Sequence, residues 1–574
     1  MLKKAIYGLI ILAAGIGTLS CASRIHAEGS TGPFEYREIY LPEHGTEEYK
    51  ALHLQNLDNE WGIWGHNIAQ ILPENVSQNI YSRRDGVVHK EQFCFSSNHL
   101  FEYISDFISS NYILQDSIRF AILPNDNAMV CLCEKCVAAG NTRTDASPAV
   151  MNMIKRLSDR FPQHIFFTSY YASTKSIPDE RLPENAGVLI SAIDFPLSVT
   201  ETAKEYEFEK LLTDWSKRTD RIYVWDYVND FDDYFTPYPV FGAMNRRLKM
   251  YRDHGVKGIF LNGSGQDYST FSRLKTHVLK EMMEEPDVDW RTVLTSKAKE
   301  LYPMTGGLIA DFMMAQEDYV AQQGKELPLY DGISKALETY LPEDKFIEFH
   351  NSLGELKEKA GDEERAEMER MYNAMELTRL ELMRKHGDIS GYEPHLASLL
   401  KLRDNDDIRI YSETCWTLDS YERDFKRIAS HAAESKGNKL KGVKLQALNA
   451  LDPDYRDISV LTDGLLGMPS NYHNGILINS PEMKWSFAIP PVPGLKTIRI
   501  WLVTNPAYKV GLPKRINLLS GANVLGSVEP TLSGEKVGHT YVDFKVPSGV
   551  GTLTVTLARD YEVRSMALEE IEGF

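Results

Sequence analysis

The sequence predicts an α/β chain: a (β/α)8 TIM-type barrel, then a helical region, then a C-terminal all-β sandwich. Three observations predict it. Between about residues 33 and 305, eight strand-like runs alternate with helix-like runs, the length and pattern of such a barrel. Residues 306–432 change to apolar spacing of helical period, as in Phe346 to Ala360 and Glu364 to Lys385, with Glu, Lys and Arg on the opposite face. From 437 to 574 glycine and proline rise, and short β-like runs recur between turn residues.

Residues 1–23 read as an export signal. Lys3 and Lys4 precede the charge-free apolar run Ala5 to Leu19, which is short for a membrane span. Cys21, within Ser20-Cys21-Ala22-Ser23, resembles the lipidated cysteine of a bacterial lipoprotein. Ordinary cleavage after Ser23 or Ala27 is the alternative. Either processing predicts an exported protein, in the periplasm or as an outer-membrane or cell-surface lipoprotein that meets the membrane only through a lipid anchor.

The barrel strands fall at Phe34 to Tyr40, Trp61 to His66, Gln92 to Phe95, Ile118 to Leu123, Ile165 to Tyr171, Gly187 to Phe195, Arg221 to Tyr227 and Val256 to Leu261. Period-two alternation marks the first, and apolar runs ended by turn residues mark the strongest of the others. Helices are read at Tyr49 to Leu57, Leu100 to Ser109, Pro148 to Phe161, Tyr206 to Arg218, Pro239 to His254 and Phe271 to Glu284. Pro148 suits a first helical turn, and Gly255 a helix end. Sandwich strands are read at Lys484 to Ile489, Thr497 to Leu502, Tyr541 to Lys545 and Thr552 to Leu557.

Bulk properties narrow the function. A chain of 574 residues exceeds one core. Its net charge of −18 argues against a nucleic-acid partner, which needs a basic face. The 29 Tyr and 8 Trp suit stacking on sugar rings and ordinary cores alike.

Barrels carry their chemistry at the C-terminal ends of the strands. Those ends offer Trp64, His66, Asn125, Asp126, Tyr170, Tyr171, Asp194, Asp226, Tyr227, Asn229, Asp230, Asn262, Gln266 and Asp267. Carboxylates move protons or attack, amides bind hydroxyls, and rings stack on pyranose faces, so such a bowl suits a sugar. A strand-end aspartate also serves as a helix cap or turn residue, and His66 as a backbone cap. Asp126 is the least ordinary, since Pro124-Asn125-Asp126-Asn127 ends a strong strand and opens an irregular loop. Glu134 is an alternative acid if its loop folds back.

That loop holds Cys131, Cys133 and Cys136, and Cys94 ends the expected third strand. Two disulfides, one structural zinc, and free buried thiols are all open readings. No other cofactor is expected.

Trp64-Gly-His66, Ile71-Leu-Pro73, Asp85-Gly86, Cys94, Pro124-Asn-Asp126 and the cysteine run resemble the domain-of-unknown-function family 4838. Asp226-Tyr227 and Gly255-Val-Lys-Gly-Ile-Phe260 add to the resemblance. That family, found largely in Bacteroidetes, includes glycoside hydrolase family 163, endo-β-N-acetylglucosaminidases of complex N-glycans. The resemblance implies a glycosidase acting on β-linked N-acetylhexosamine in a glycan or glycoprotein. Asp126, with Asp226 or Asp267 and with Glu134 in reserve, would be its acids. Leu461-Thr-Asp-Gly464 and Leu568-Glu-Glu-Ile-Glu572 resemble a discoidin-like, carbohydrate-binding sandwich. One departure stands out: Leu261 occupies a position where the family carries an acid. This departure keeps a second expectation alongside the first, a non-catalytic glycan-binding surface lipoprotein.

Overall fold

A computed structural model describes residues 32–574 except 114–116, 331, 407, 453–454, 456, 470–474, 480–483, 507–508, 533–536, 561–562 and 564. The export signal and Cys21 therefore lie outside the described residues. Two compact units emerge, Met1–Leu329 with Glu338–Met368, and Tyr330–Leu337 with Glu369–Phe574. The helical stretch expected at 306–432 is divided between them.

The first unit contains β1 (Tyr36–Tyr40), β2 (Trp61–Ile63), β3 (Tyr81–Arg84), β4 (Val87–Phe93), β5 (Arg119–Ala121), β6 (Ile165–Tyr170), β7 (Ala186–Ser191), β8 (Ile222–Tyr227) and β9 (Gly258–Asn262). Among the described residues, seven of these form one parallel sheet in the order β1-β9-β8-β7-β6-β5-β2. Its strands are buried apolar runs, as a parallel sheet covered by helices requires. The sheet curls around its own core. Tyr36, Trp61, Ala121, Phe167, Leu189, Tyr223 and Phe260, one from each strand, share a single cluster with Leu57 and Leu123. The edge strands meet there through rings, Tyr36 edge-on to Trp61 at 5.9 Å.

An eight-stranded closed barrel is thereby corrected to a curled seven-stranded sheet. The expected third strand, Gln92 to Phe95, enters the antiparallel β3–β4 hairpin instead. Asp85-Gly86 is the cause. Both have positive φ, 51° and 81°, and an Asp-Gly turn of that kind commits its flanks to antiparallel pairing.

The seam between β1 and β2 is filled by side chains rather than a strand. Gln55 accepts from the Arg37 N–H at 2.8 Å and donates its own N–H to the Arg37 carbonyl at 2.9 Å. The Tyr49 hydroxyl accepts from the Ile39 N–H at 3.0 Å, and Glu38 accepts from the Leu57 N–H at 3.0 Å. The exposed strand edge is thus satisfied by residues that carry no β pattern. Gln55→Ala is expected to lower the stability of this unit by about 1–2 kcal/mol, through the orphaned Arg37 N–H. Chemical denaturation checks it.

Helices cover the outer face. Ser147–Arg160 begins with Pro148 in its first turn, and Phe241–Asp253 is followed by left-handed Gly255 at φ 72°. In the second unit, antiparallel sheets of five and four strands, counted over the described residues, enclose one core. Trp485, Phe487, Ile516 and Val555 come from one sheet, and Ile498, Ile500, Val542 and Leu568 from the other.

Candidate functional site

Parallel strands deliver their C-terminal ends to one side, so the loops after β1, β2, β5, β6, β7, β8 and β9 share a rim. Beneath it the inward residues form levels. Glu38, Phe260, Trp225 and Ser191 lie side by side across β1, β9, β8 and β7. Above them come Tyr40, Asn262 and Tyr227. A cavity lies here, lined by Trp61, Trp64, Gly65, Tyr223, Trp225 and Phe260 among others. Trp225 packs on Phe260 with ring centroids 4.0 Å apart. The floor of the bowl is therefore aromatic.

The rim places Asp126 and Asp267 on opposite walls. Their loops follow β5 and β9, which stand four steps apart through β6, β7 and β8. Both carboxylates are half-buried, and neither makes a side-chain hydrogen bond among the described residues. Burial raises the Asp267 carboxyl above the usual aspartate range. Its loop is seated on β1: the Gly263 and Gly265 N–H groups both donate to the Tyr40 carbonyl at 3.1 Å. Gly265 has φ 64°, and a Cβ there would stand 2.9 Å from the Tyr40 ring, so glycine is required.

The Asp126 loop is pinned from the other side. Gln92 Oε1 accepts from the Asn125 N–H at 2.9 Å, and its Nε2 donates to the Asn125 carbonyl at 3.0 Å. The side-chain amides of Asn125 and Asn127 both donate to the Glu91 carbonyl at 2.9 Å. Asn125 thus holds its loop to the hairpin. His66 Nδ1–H donates to the Pro124 carbonyl, which leaves Nε2 as the imidazole's acceptor, and its ring lies 5.9 Å from Tyr171. Asp194 accepts from Lys175 Nζ at 2.7 Å, and that ammonium stands 5.5 Å from the Tyr170 ring centroid. The Tyr227 hydroxyl is 3.0 Å from Ser191 Oγ.

Other sequence-predicted residues lie outside the bowl. Asp226 is 2% exposed and points to the outer layer, opposite to its inward neighbours Trp225 and Tyr227. It accepts from the Tyr251 hydroxyl at 2.5 Å and faces Arg247 at 3.7 Å. Burial raises its pKa, which Arg247 opposes. Asn229 accepts from buried Lys275 at 2.9 Å, and burial pushes that ammonium down to about 7. Asp230 accepts from the Tyr340 hydroxyl at 3.1 Å. Glu134 opens the short helix Glu134–Ala139 and is exposed.

Leu261 lies level with Ile39 and Asp226, on the outward face. An acid at that position would enter the sheet–helix layer, so its absence removes nothing from the bowl.

Tyr40, Gln92 and Lys175 were not singled out from the sequence. Alternation along β1 could have found Tyr40, whereas Lys175 sits in a loop with no periodic signal. The four cysteines Cys94, Cys131, Cys133 and Cys136 come together beside the hairpin, with no disulfide between them among the described residues.

The family described as "Domain of unknown function (DUF4838)" matches residues 24–313. No curated protein matches the chain. Among solved structures, a GH138 enzyme targeting pectin rhamnogalacturonan II is similar at 10% identity and a TM-score of 0.30, over 94% of this chain and 84% of that one. The lectin domain of lectinolysin complexed with Lewis B antigen is similar at 13% identity and a TM-score of 0.19, over 24% of this chain and 97% of that one. A fucose binding module of Streptococcus pneumoniae is similar at 11% identity and a TM-score of 0.20, with the same coverage of both chains.

Proposed function

The chain belongs to the DUF4838 family, and from that premise we propose that it is an exported glycoside hydrolase acting on β-linked N-acetylhexosamine in a glycan or glycoprotein. The observation that carries this reading is the pair Asp126 and Asp267 on opposite walls of an aromatic bowl. Glycosidases work with two carboxyl groups flanking the scissile bond. Burial shifts Asp267 toward its protonated form, which suits it to give a proton to the leaving oxygen. Asp126 is the partner: nucleophile, base for water, or the group that orients an attacking acetamide. Trp64 and Trp225 supply ring faces for the pyranose, and Asn262 an amide for its hydroxyls. Cleavage within complex N-glycans is the finer form of the reading, and the lipidated Cys21 its anchor at the cell surface.

The test is incubation with complex N-glycoproteins and a panel of N-acetylhexosamine glycans, with released sugars read by mass spectrometry. Release is expected from the wild type and a loss of about 10²-fold or more from Asp126→Asn. No release across the panel, with measurable glycan binding, would overturn the enzyme reading.

A second reading, glycan binding without catalysis, draws on the second unit. Tyr541 is 46% exposed beside Trp501, with ring centroids 4.8 Å apart, and the Arg499 guanidinium stands 3.9 Å from the Tyr541 ring centroid. Such a platform suits a sugar face. Tyr541→Ala is expected to weaken glycan retention about tenfold, by affinity electrophoresis, without changing the melting temperature by more than about 2 °C.

A further inference from the structure

Four thiols from two distant segments meet at one point. Cys94 follows β4, while Cys131 and Cys133 lie on the loop after β5 and Cys136 on the helix that loop enters. All four Sγ atoms lie within 4.8 Å of one another. Cys94 Sγ is 3.6 Å from Cys133 Sγ and 3.6 Å from Cys136 Sγ.

Two chemistries compete for such a cluster, and the distances separate them. A disulfide holds its sulfurs about 2.05 Å apart and uses each sulfur once. A tetrahedral ion with metal–sulfur bonds of about 2.3 Å holds its sulfurs about 3.8 Å apart along every edge. Cys94 has the longer spacing, and has it to two partners at once. Cys94, Cys131 and Cys136 are buried at 6%, 3% and 0% exposure. The surroundings suit thiolates as well. The Arg83 N–H donates to Cys131 Sγ at 3.3 Å, and Ser96 Oγ lies 3.2 Å from Cys136 Sγ, where its hydroxyl can turn to donate. Asn141 donates to the Cys131 carbonyl at 3.1 Å, fixing the backbone between the ligands.

We propose that Cys94, Cys131, Cys133 and Cys136 hold one zinc ion as a closed tetrathiolate site, and that this ion staples the β3–β4 hairpin to the loop carrying Asp126. Four soft sulfur donors select zinc over harder cations, and a complete donor set leaves no open position for water or substrate. The ion is structural. Binding releases the thiol protons to solvent and involves no redox step. Together with the contacts of Gln92 to Asn125 and Asn127, the staple fixes both ends of the Asp126 loop.

The test uses the full chain, purified under reducing conditions and dialysed free of loose metal. Elemental analysis is expected to find about one zinc per chain, and less than about 0.1 in Cys94→Ser or Cys136→Ser. Removing the ion from the wild type with a strong chelator is expected to lower its melting temperature and to speed proteolysis within residues 85–140. Added zinc is expected to restore both. Thiol alkylation of protein purified without reductant serves if the variants do not fold. The four cluster cysteines should be protected until chelator is added. Protection lifted only by a reductant means disulfides and overturns the proposal. So do immediate alkylation with no zinc bound, and iron in place of zinc. None of these readouts depends on glycan cleavage.

Discussion

Asp267→Asn is expected to cut glycan release by about 10²- to 10⁴-fold while leaving the fold intact. The carboxyl sits on a rim loop, half-buried, with no hydrogen bond among the described residues, so its removal breaks no structural contact. Its pH dependence separates a catalytic acid from a bystander. A general acid works protonated, so wild-type kcat/KM should fall as pH rises through the raised Asp267 pKa, and the Asn variant should lose that limb. Wild-type stability follows the same direction. The folded state holds this proton above the pH at which the unfolded aspartate loses it. Wild-type stability therefore declines as pH rises from the unfolded value through the folded one. Asn does not titrate, so the variant's melting temperature should gain on the wild type across that window. Unchanged release would remove Asp267 from the mechanism.

Asp226→Ala is expected to destabilise the first unit by about 3–5 kcal/mol. The carboxylate is buried with the Tyr251 hydroxyl and with Arg247, which is itself fully buried. Arg247 also donates to the carbonyls of Phe195 and Pro196, at 2.9 Å each, and stacks near Phe208. Loss of Asp226 leaves a guanidinium and a hydroxyl under-compensated in a low-dielectric layer. Denaturant titration reads the effect. Equal stability of variant and wild type would mean that Arg247 is satisfied by its other partners. Of the two aspartates, Asp267 on the loop after β9 is expected to cost activity and Asp226 within β8 to cost stability.

Strands such as Ile165–Tyr170 and helices such as Phe241–Asp253 follow from local pattern, because burial on one face imposes a period the residues must obey. Asp126 and Asp267 were legible as rim residues for the same reason. Asp226 was legible as a strand-end acid, but not as an outward one. Its direction depends on Trp225 facing inward, and that required the sheet. The turn at Asp85-Gly86 overrides the third barrel strand expected at Gln92 to Phe95. Alternation alone does not predict the strand Met566–Gly573, because Glu569, Glu570 and Glu572 interrupt it. All three are buried, Glu569 against His539 and Glu572 against His431 and Trp501.

The chain's own order of residues settled the alternation of strands and helices, the sandwich-like C-terminal runs and the two rim loops with their acids, since each depends on neighbours within a few positions. Tertiary structure decided the rest. It closed the sheet's seam with Gln55 and Tyr49, turned Asp226 and Leu261 away from the bowl, set Asp126 opposite Asp267, and gathered Cys94 with three cysteines more than thirty positions later. Each of these outcomes depends on which face a residue shows and which distant group satisfies it, and local pattern carries no record of either.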